Sequence, residues 1–239
     1  QEHPDAHLAG WRGILQADAY GGYNGLYDLA HKAGAVTSAL CWAHARRGFF
    51  ELADIAASAR RGPGAAPVSP IALEALKRID ALFAIEREIN GLSADERHRV
   101  RQERSRQIVE DLRTWLGEQR LTLSRSATVA KPIDYMLRRW DGFAAFLDDG
   151  KACLSNNAAE RSLRGFALGR KAWLFAGSSR GAERAAAVAT LIQTAKLNDV
   201  DPQAWLADVL ARIAETPQGK LDQLLPWNWR AASTAAIAA

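Results

Sequence analysis

The spacing of hydrophobic residues near the start of the chain alternates between strand-like and helix-like segments. Residues 14–18 predict a short strand that ends in Asp18. Residues 24–33 predict a short helix, 35–41 a second strand and 42–57 a second helix. This strand–helix–strand–helix order is typical of α/β domains.

The pattern changes after a segment rich in Gly, Pro and Ala, which predicts a loop and a boundary at 60–70. An apolar stripe over 71–89 predicts a helix, and a capping box that begins at Ser93 opens a long charged helix to about residue 117. A third helix is predicted over 127–147. We call residues 61–150 the helical block. Because it separates two α/β-like segments, the sequence predicts that it is an insertion.

A polar helix that carries Glu160 is predicted beyond the helical block. The other elements predicted in this part are a strand at 171–176, a turn at 177–181, helices at 185–197 and 201–213, an apolar segment at 221–229 that docks as a short peptide, and a disordered tail at 231–239. Together the segments predict an α/β fold class that is mostly helical.

Composition places the chain among ordinary globular proteins. Of its 239 residues, 48% are hydrophobic and 24% are charged. The net charge of +4 permits an anionic partner without requiring one. The chain has no apolar run long enough for a membrane span and a polar start, so neither a span nor a signal peptide is expected. Its two cysteines, Cys41 and Cys153, indicate a reducing, cytoplasmic setting.

The predicted helix around Glu160 sets one carboxylate among amides and guanidinium groups. At about 100° per residue, Glu160 shares a helix side with Asn156, Asn157, Arg161 and Arg164. A carboxylate on a face otherwise suited to phosphate is typical of a metal-dependent enzyme that acts on nucleic acid. The alternative is a surface helix whose Glu160–Arg164 pair is solvated and contributes about 0.3–0.5 kcal/mol.

Asp18 is the second candidate carboxylate. Phosphodiester chemistry on two divalent ions needs carboxylates that converge from different segments, and a strand end holds such a side chain rigidly. Asp18 at a strand end and Glu160 on a polar helix face have this form. The alternative for Asp18 is a residue that only begins the turn after the strand.

Several phrases of the sequence resemble the C-terminal half of an insertion-sequence-66 (IS66) type transposase, a member of the DDE (Asp-Asp-Glu) transposases. The matching phrases lie, in the family's order, at residues 13–24, 41–50, 154–164, 169–177 and 191–198, with Asp201-Pro202 and residues 224–227. The resemblance therefore covers most of the chain.

The resemblance implies an RNase H-like catalytic fold interrupted by an all-α insertion. Its parts would be residues 1–60 as the first piece of the core, 61–150 as the insertion, 151–198 as the second piece with the Glu helix, 199–230 as a C-terminal helical element, and 231–239 as the tail. The implied function is metal-dependent DNA cleavage and strand transfer in DNA transposition.

By the same resemblance, Asp18 corresponds to the family's second metal-binding Asp and Glu160 to its Glu. The family's first Asp, which lies in a His-Ala-Asp-Glu-Thr-like phrase, has no counterpart in this sequence. The intact site would hold two Mg²⁺ or Mn²⁺ ions, bind transposon-end and target DNA, and work as a homo-oligomer. The alternatives are a truncated non-catalytic remnant that only binds DNA or self-associates, and a helical protein with no nucleic-acid role.

Basic residues crowd around both candidate carboxylates. Between residues 161 and 184 they outnumber the acids, which is typical of phosphate contact. The residues expected to contact DNA or to orient the scissile phosphate are Arg46, Arg47, Asn157, Arg161, Arg164, Arg170 and Lys171.

Cys41 and His44 form a Cys-x-x-His pair that resembles a motif following the second Asp in DDE transposases with helical insertions. No second pair with zinc-ligand spacing follows, so zinc is not expected. The resemblance implies an accessory role, either DNA contact near the active site or support of the metal carboxylates. A buried structural Cys and a polar His cap are the alternative.

Overall fold

A computed structural model describes residues 2–27, 36–53, 68–173 and 176–229. Its backbone divides into two compact units, Gln1–Ala158 and Ala159–Ala239. Most of the predicted loop at 60–70 and the whole predicted tail at 231–239 lie outside the described residues.

The first unit contains a parallel pair of strands, β1 (Gly13–Ala17) and β2 (Val36–Leu40). Gly13 pairs with Val36 and Ala17 with Leu40, so the two strands end at the same edge of the sheet. Both predicted strands are therefore confirmed. A short helix, α1 (Glu2–His7), precedes β1, and α2 (Trp42–Ala53) follows β2.

The segment between the strands differs from the predicted helix at 24–33. The chain forms a 3₁₀ helix at Gly21–Tyr27, and residues 28–35 lie outside the described part. Gly21, Gly22 and Gly25 have a low propensity for α-helix, which accounts for the tighter turn.

Two of the predicted helices of the helical block are confirmed. Helix α3 (Pro70–Glu88) begins at the N-cap Ser69, whose Oγ accepts a hydrogen bond from the amide of Ala72 at 3.3 Å. Helix α4 (Ala94–Val100) opens with the predicted capping box, in which Ser93 Oγ accepts from the Glu96 amide at 3.3 Å and Glu96 Oε2 accepts from the Ser93 amide at 3.0 Å.

Helix α4 runs without interruption into a π-helical turn (Arg101–Ser105) and then into α5 (Arg106–Thr122), past the predicted end near residue 117. Leu112 and Leu116 are fully buried before Gly117. Beyond Gly117, Arg120 Nε donates at 2.7 Å to Asp134 Oδ1 in the following helix, which holds the last turn against that helix.

The third predicted helix of the block is divided in two. Helix α6 (Ala130–Leu137) ends before Arg139, and α7 (Trp140–Ala144) continues as a 3₁₀ turn at Ala145–Leu147. The break brings Gly142 against β2, where an added Cβ would lie 2.9 Å from Leu40 Cγ.

The strands and the helical block share one hydrophobic core. Trp42, the first residue of α2, is fully buried and donates from Nε1 to the Phe143 carbonyl at 2.9 Å. The rings of Trp140, Phe143 and Phe146 surround it edge-on, with centroids 6.1, 5.4 and 6.0 Å away. The helical block is therefore packed as part of the first unit, beside β2.

A buried arginine lies at the π-helical turn. Arg101 has no exposed side-chain area, and its Nε and Nη2 donate to the Glu86 carboxylate at 2.8 and 2.7 Å. Its Nη1 donates to the carbonyls of Phe146 and Asp149 at 2.9 and 3.0 Å. We call Arg101 with these three partners the Arg101 cluster. It joins α3, the π-helical turn and the segment after α7.

The second unit is helical in its described residues. Helix α8 (Asn157–Trp173) begins at the end of the first unit, and α9 (Ser179–Leu197) and α10 (Pro202–Arg212) follow it. Helix α10 begins as predicted at Asp201, whose Oδ1 accepts from the Gln203 amide at 2.8 Å.

The strand predicted at 171–176 is wrong over its first half. Helix α8 runs through Trp173, and residues 174–175 lie outside the described part. A short apolar run is compatible with either a strand or a helix, and here the chain has no Pro between Glu160 and Trp173 to end the helix. The first positive φ after α8 among the described residues is that of Gly177, at 77°.

The predicted docking of the segment at 221–229 is confirmed. After a 3₁₀ helix (Gln218–Leu224), the chain packs on α10 through two indole groups. Trp205 Nε1 donates to the Leu224 carbonyl at 2.8 Å, and Trp229 Nε1 donates to Asp208 Oδ2 at 2.7 Å. No helix of the described chain is long and apolar enough to cross a membrane.

Candidate metal and nucleic-acid site

Asp18 lies directly after β1, at the carboxyl edge of the parallel pair, and is half-buried. Its carbonyl accepts a hydrogen bond from the Tyr20 amide at 2.8 Å, which turns the chain sharply after the strand. Cys41 follows β2 at the same edge. The sheet therefore positions the predicted carboxylate and the Cys-x-x-His motif side by side.

Two partly buried tyrosines face Asp18. Burial raises the pKa of Tyr27, whose hydroxyl lies beside Ser38, and the Asp18 carboxylate raises it further. Burial also raises the pKa of Tyr135, which lies against the Ala19 backbone and near Asp18. Both phenols therefore keep their protons well above neutral pH, and they can donate hydrogen bonds to an anion at this edge.

Cys41 and His44 both lie near Tyr135. Cys41 is 1% exposed and lies near the Tyr135 phenol. The His44 ring is tilted against the Tyr135 ring, with centroids 6.0 Å apart. The motif thus contacts Asp18 indirectly, through a tyrosine that no sequence pattern singled out.

The segment that leads into α8 is held by both strands. Gln16, in β1, donates from Nε2 to the Cys153 carbonyl, and its Oε1 accepts from the Cys153 amide at 3.3 Å. The Trp42 amide, just after β2, donates to the Leu154 carbonyl at 3.0 Å. These bonds pin residues 153–154 to the sheet within the first unit.

Asn156 does not belong to the helix face predicted for it, because α8 begins at Asn157. The Asn156 side chain is instead half-buried ahead of the helix, and its Oδ1 is buried with no hydrogen-bond partner in the described structure. A buried amide oxygen of this kind retains its capacity to accept a hydrogen bond or bind a cation.

Glu160 lies in the first turn of α8 and is exposed. A negative charge in the first turn is favourable to the helix dipole. Arg161, Arg164 and Arg170 are also exposed, and the side chain of Lys171 lies outside the described part. No salt bridge joins Glu160 to Arg164 among the described residues. Asp18 belongs to the first unit and Glu160 to the second.

The two predicted arginines of α2 differ in what they contact. Arg46 binds Asp80 of α3 through Nε at 2.6 Å and Nη2 at 3.0 Å, and the hydrogen bond raises the pKa of Arg46. Arg47 is exposed and lines a 570 Å³ pocket with His44 and Lys131. Arg46 is thus engaged within the protein, whereas Arg47 is available to an anionic partner.

A group that sequence reasoning missed lies around a second pocket, of 340 Å³, beside Asp18. Arg113, Arg138 and Arg139 line this pocket together with Ala19 and Tyr27. Adjacent arginines at 138 and 139 are visible in the sequence, but the helical block contains many arginines and no spacing distinguishes these. Within the described residues, no three His, Cys, Asp or Glu side chains come together as a metal site.

Two protein-family models match this sequence. The family model described as Transposase IS66 family matches residues 1–184, and the model described as IS66 C-terminal element matches residues 190–227. The chain belongs to the IS66 transposase family. The resemblance drawn from the sequence phrases is confirmed.

This IS66 family member is similar to curated proteins of Sinorhizobium fredii (strain NBRC 101917 / NGR234). Uncharacterized protein y4hP is 60% identical over 237 residues, which are 99% of this chain and 43% of the relative. Uncharacterized protein y4jD is 39% identical over 231 residues, 95% of this chain and 43% of the relative. The chain thus spans less than half the length of these curated relatives. No solved structure matches it.

Proposed function

We propose that this chain is part of a DDE-type transposase that cleaves DNA at the ends of an insertion sequence and joins it to target DNA. Membership of the IS66 family carries the proposal. The position of Asp18 supports it, because a carboxylate at the carboxyl edge of parallel strands is held as a metal-dependent nuclease requires. The strands and helical block fit an RNase H-like core with an all-α insertion.

Asp18 and Glu160 are the carboxylates of the proposed site. Oxygen ligands of this type suit Mg²⁺ or Mn²⁺, and the half-buried Asp18, on a backbone pinned by β1, fits such an ion. Glu160 is included because it corresponds to the Glu of the family's Asp-Asp-Glu set. Two bound ions would activate the attacking water or 3′ hydroxyl and stabilise the leaving oxygen.

The other residues of the proposed site position it and bind DNA. Tyr135 lies between Asp18 and the Cys-x-x-His motif, so Cys41 and His44 would support the orientation of Asp18 through its ring. The groups proposed to bind phosphate or orient the scissile bond are the exposed Arg47, Arg161, Arg164 and Arg170, together with Asn157 and Lys171. Arg46 is not among these groups, because its guanidinium is paired with Asp80. DNA and a second copy of the protein are the proposed partners, in the cytoplasm.

A second candidate is a non-catalytic member that binds DNA or self-associates. The observation that favours it is the group of arginines around the 340 Å³ pocket, which would bind DNA whether or not the DNA is cleaved. Both candidate functions include DNA binding, but only the first includes DNA cleavage.

The test is cleavage of labelled insertion-sequence-end DNA in Mg²⁺ or Mn²⁺, measured for this chain and for a full-length protein that contains it. Asp18→Asn and Glu160→Gln should each reduce cleavage to background while leaving DNA binding intact. Glu183→Gln, which removes another exposed acid in α9, is the matched control and should cleave normally. Cleavage that survives the Asp18 and Glu160 substitutions overturns the proposal. DNA binding without any cleavage supports the second candidate.

A further inference from the structure

Eight of the fifteen arginines described in the first unit form a salt bridge with a carboxylate. The arginines of the described chain that form salt bridges are Arg46, Arg78, Arg97, Arg99, Arg101, Arg104, Arg106, Arg120 and Arg212. Arg113, Arg138 and Arg139 are exposed and form none among the described residues, yet they line one pocket. We call these three residues with their 340 Å³ pocket the arginine pocket. Unneutralised guanidinium groups that converge on a concave surface are suited to an anion.

Aromatic contacts hold two of these guanidinium groups in place without cancelling their charge. The Arg139 guanidinium lies 5.0 Å from the centroid of the Tyr135 ring, and its Nη1 donates to the Tyr135 carbonyl at 3.4 Å. The Arg113 guanidinium lies 6.0 Å from the Trp140 ring. Asp141 also lines the pocket, so three positive groups face one negative group there. The pocket is therefore positive and partly preorganised.

The arginine pocket adjoins the edge of the sheet that carries Asp18. Ala19 and Tyr20, the two residues after Asp18, form part of its wall, as does Tyr27, which faces Asp18. Tyr135 is close to both Asp18 and Arg139. A polyanion bound in the pocket would thus continue towards the Asp18 carboxylate.

We propose that Arg113, Arg138 and Arg139 bind the phosphate backbone of the DNA strand next to the phosphodiester that is presented to Asp18. The inference rests on the proposed function, which supplies DNA as the substrate. Guanidinium groups bind phosphate oxygens in a bidentate manner, and 340 Å³ is within the range of ligand pockets, about 300–1,000 Å³. Because the contacts are to phosphate, they position the strand and carry no base sequence preference.

The test compares two double variants with the same loss of charge. R113Q/R138Q removes two unneutralised arginines of the pocket. R99Q/R104Q removes two exposed arginines that are paired with Glu103 and Glu88. The dissociation constant for insertion-sequence-end duplex is measured by fluorescence anisotropy over a salt series, with the full chain and without metal.

The salt dependence is the deciding quantity. Each lost phosphate contact should reduce the slope of log K against log salt by about 0.9, so R113Q/R138Q should lower it by about 1.8. R99Q/R104Q should change the slope much less, because its arginines are already neutralised within the protein. Equal changes in the two variants, or no change in R113Q/R138Q, overturn the proposal. R113K/R138K keeps the charge and should keep the slope while weakening binding through loss of bidentate geometry.

The outcome separates this inference from the proposed function. If R113Q/R138Q leaves the slope unchanged while Asp18→Asn abolishes cleavage, the pocket assignment fails and the transposase assignment stands. If R113Q/R138Q lowers the slope while Asp18→Asn and Glu160→Gln still cleave, the DNA-binding pocket stands and the carboxylate assignment fails. Thermal unfolding of each variant confirms that the compared proteins are folded.

Discussion

The Arg101 cluster and the arginine pocket place the same type of side chain in opposite surroundings within one unit. Arg101 is fully buried and its guanidinium is satisfied by the Glu86 carboxylate and two backbone carbonyls. Arg113, Arg138 and Arg139 are exposed around a pocket, and no carboxylate is ion-paired with them in the described chain. The difference teaches that surroundings, and not residue type, separate an arginine that holds the fold from one available to a ligand.

The largest expected effect is on the Arg101 cluster. Arg101→Met should lower the free energy of unfolding by about 3 kcal/mol, because the mostly buried Glu86 then keeps only Arg97, at 3.7 Å, as an ion-pair partner, and the carbonyls of Phe146 and Asp149 lose their donor. Replacing both partners, as R101M/E86M, should recover part of the loss, since that charge is then absent. Urea unfolding followed by circular dichroism measures both.

The arginine pocket provides the contrast. R113Q/R138Q should change the free energy of unfolding by less than about 0.5 kcal/mol, because exposed substitutions away from buried networks have small effects. The comparison would break if this variant were as unstable as Arg101→Met, since the pocket arginines would then hold the fold.

An effect smaller than that of Arg101→Met is expected at Gly150, where the backbone passes close to the Arg101 cluster. Gly150 follows Asp149, whose carbonyl accepts from Arg101, and an added Cβ at Gly150 would lie 1.8 Å from the Ala94 carbonyl oxygen. Gly150→Ala must displace the backbone at residue 150 or at Ala94, so it should lower the free energy of unfolding by about 1–3 kcal/mol. A loss of this size would show that the Arg101 cluster depends on the close approach of these two backbone segments.

Gly117 is the matched control for that substitution. It lies within α5, and an added Cβ would meet no atom within 4 Å. Gly117→Ala should therefore stabilise the protein by about 0.5–1 kcal/mol through helix propensity. Thermal melts of the two variants should shift in opposite directions, and equal shifts would remove the steric explanation for Gly150.

The smallest expected effect is the alkaline titration of Tyr135, which lies beside the arginine pocket. Burial raises the pKa of Tyr135 in the folded state, so the unfolded chain loses this proton first as the pH rises. Its contribution to stability is complete below the unfolded pKa of about 10 and is lost as the pH rises through the folded pKa. Between pH 8 and 11 the free energy of unfolding should therefore fall more steeply with pH for the wild type than for Tyr135→Phe. If the two free energies fell in parallel, burial of this phenol would be contradicted.

Local signals in the sequence predict many elements correctly. Ser93 with Glu96, and Asp201 with Pro202, mark helix starts that the structure confirms, because caps depend on residues within one turn. The apolar run at 171–176 was misassigned, because a few apolar residues do not distinguish a strand from the end of α8. The break at Arg139 was not predicted, because neither Gly nor Pro marks it; the residues beyond it pack against β2, where Gly142 approaches Leu40, a residue far away in the sequence.

The residues of the candidate site were likewise predicted only in part from the sequence. Asp18 and Glu160 could be nominated from short phrases that match the IS66 family, and the family assignment follows from the order of those phrases. The roles of Arg46 and Tyr135 could not be predicted. Arg46 reads as a free phosphate contact until Asp80 is seen to bind it, and Tyr135 becomes relevant only through its packing beside Asp18.

The sequence alone determined the family, the positions of the two strands, most helix starts and the two candidate carboxylates, because these depend on neighbouring residues and on ordered phrases. Tertiary structure decided which arginines are neutralised, which tyrosines surround Asp18, and that Arg113, Arg138 and Arg139 meet at one pocket. The physical reason is that charge pairing and burial depend on distances between residues far apart in the chain, and those distances exist only once the helices have packed against the strands.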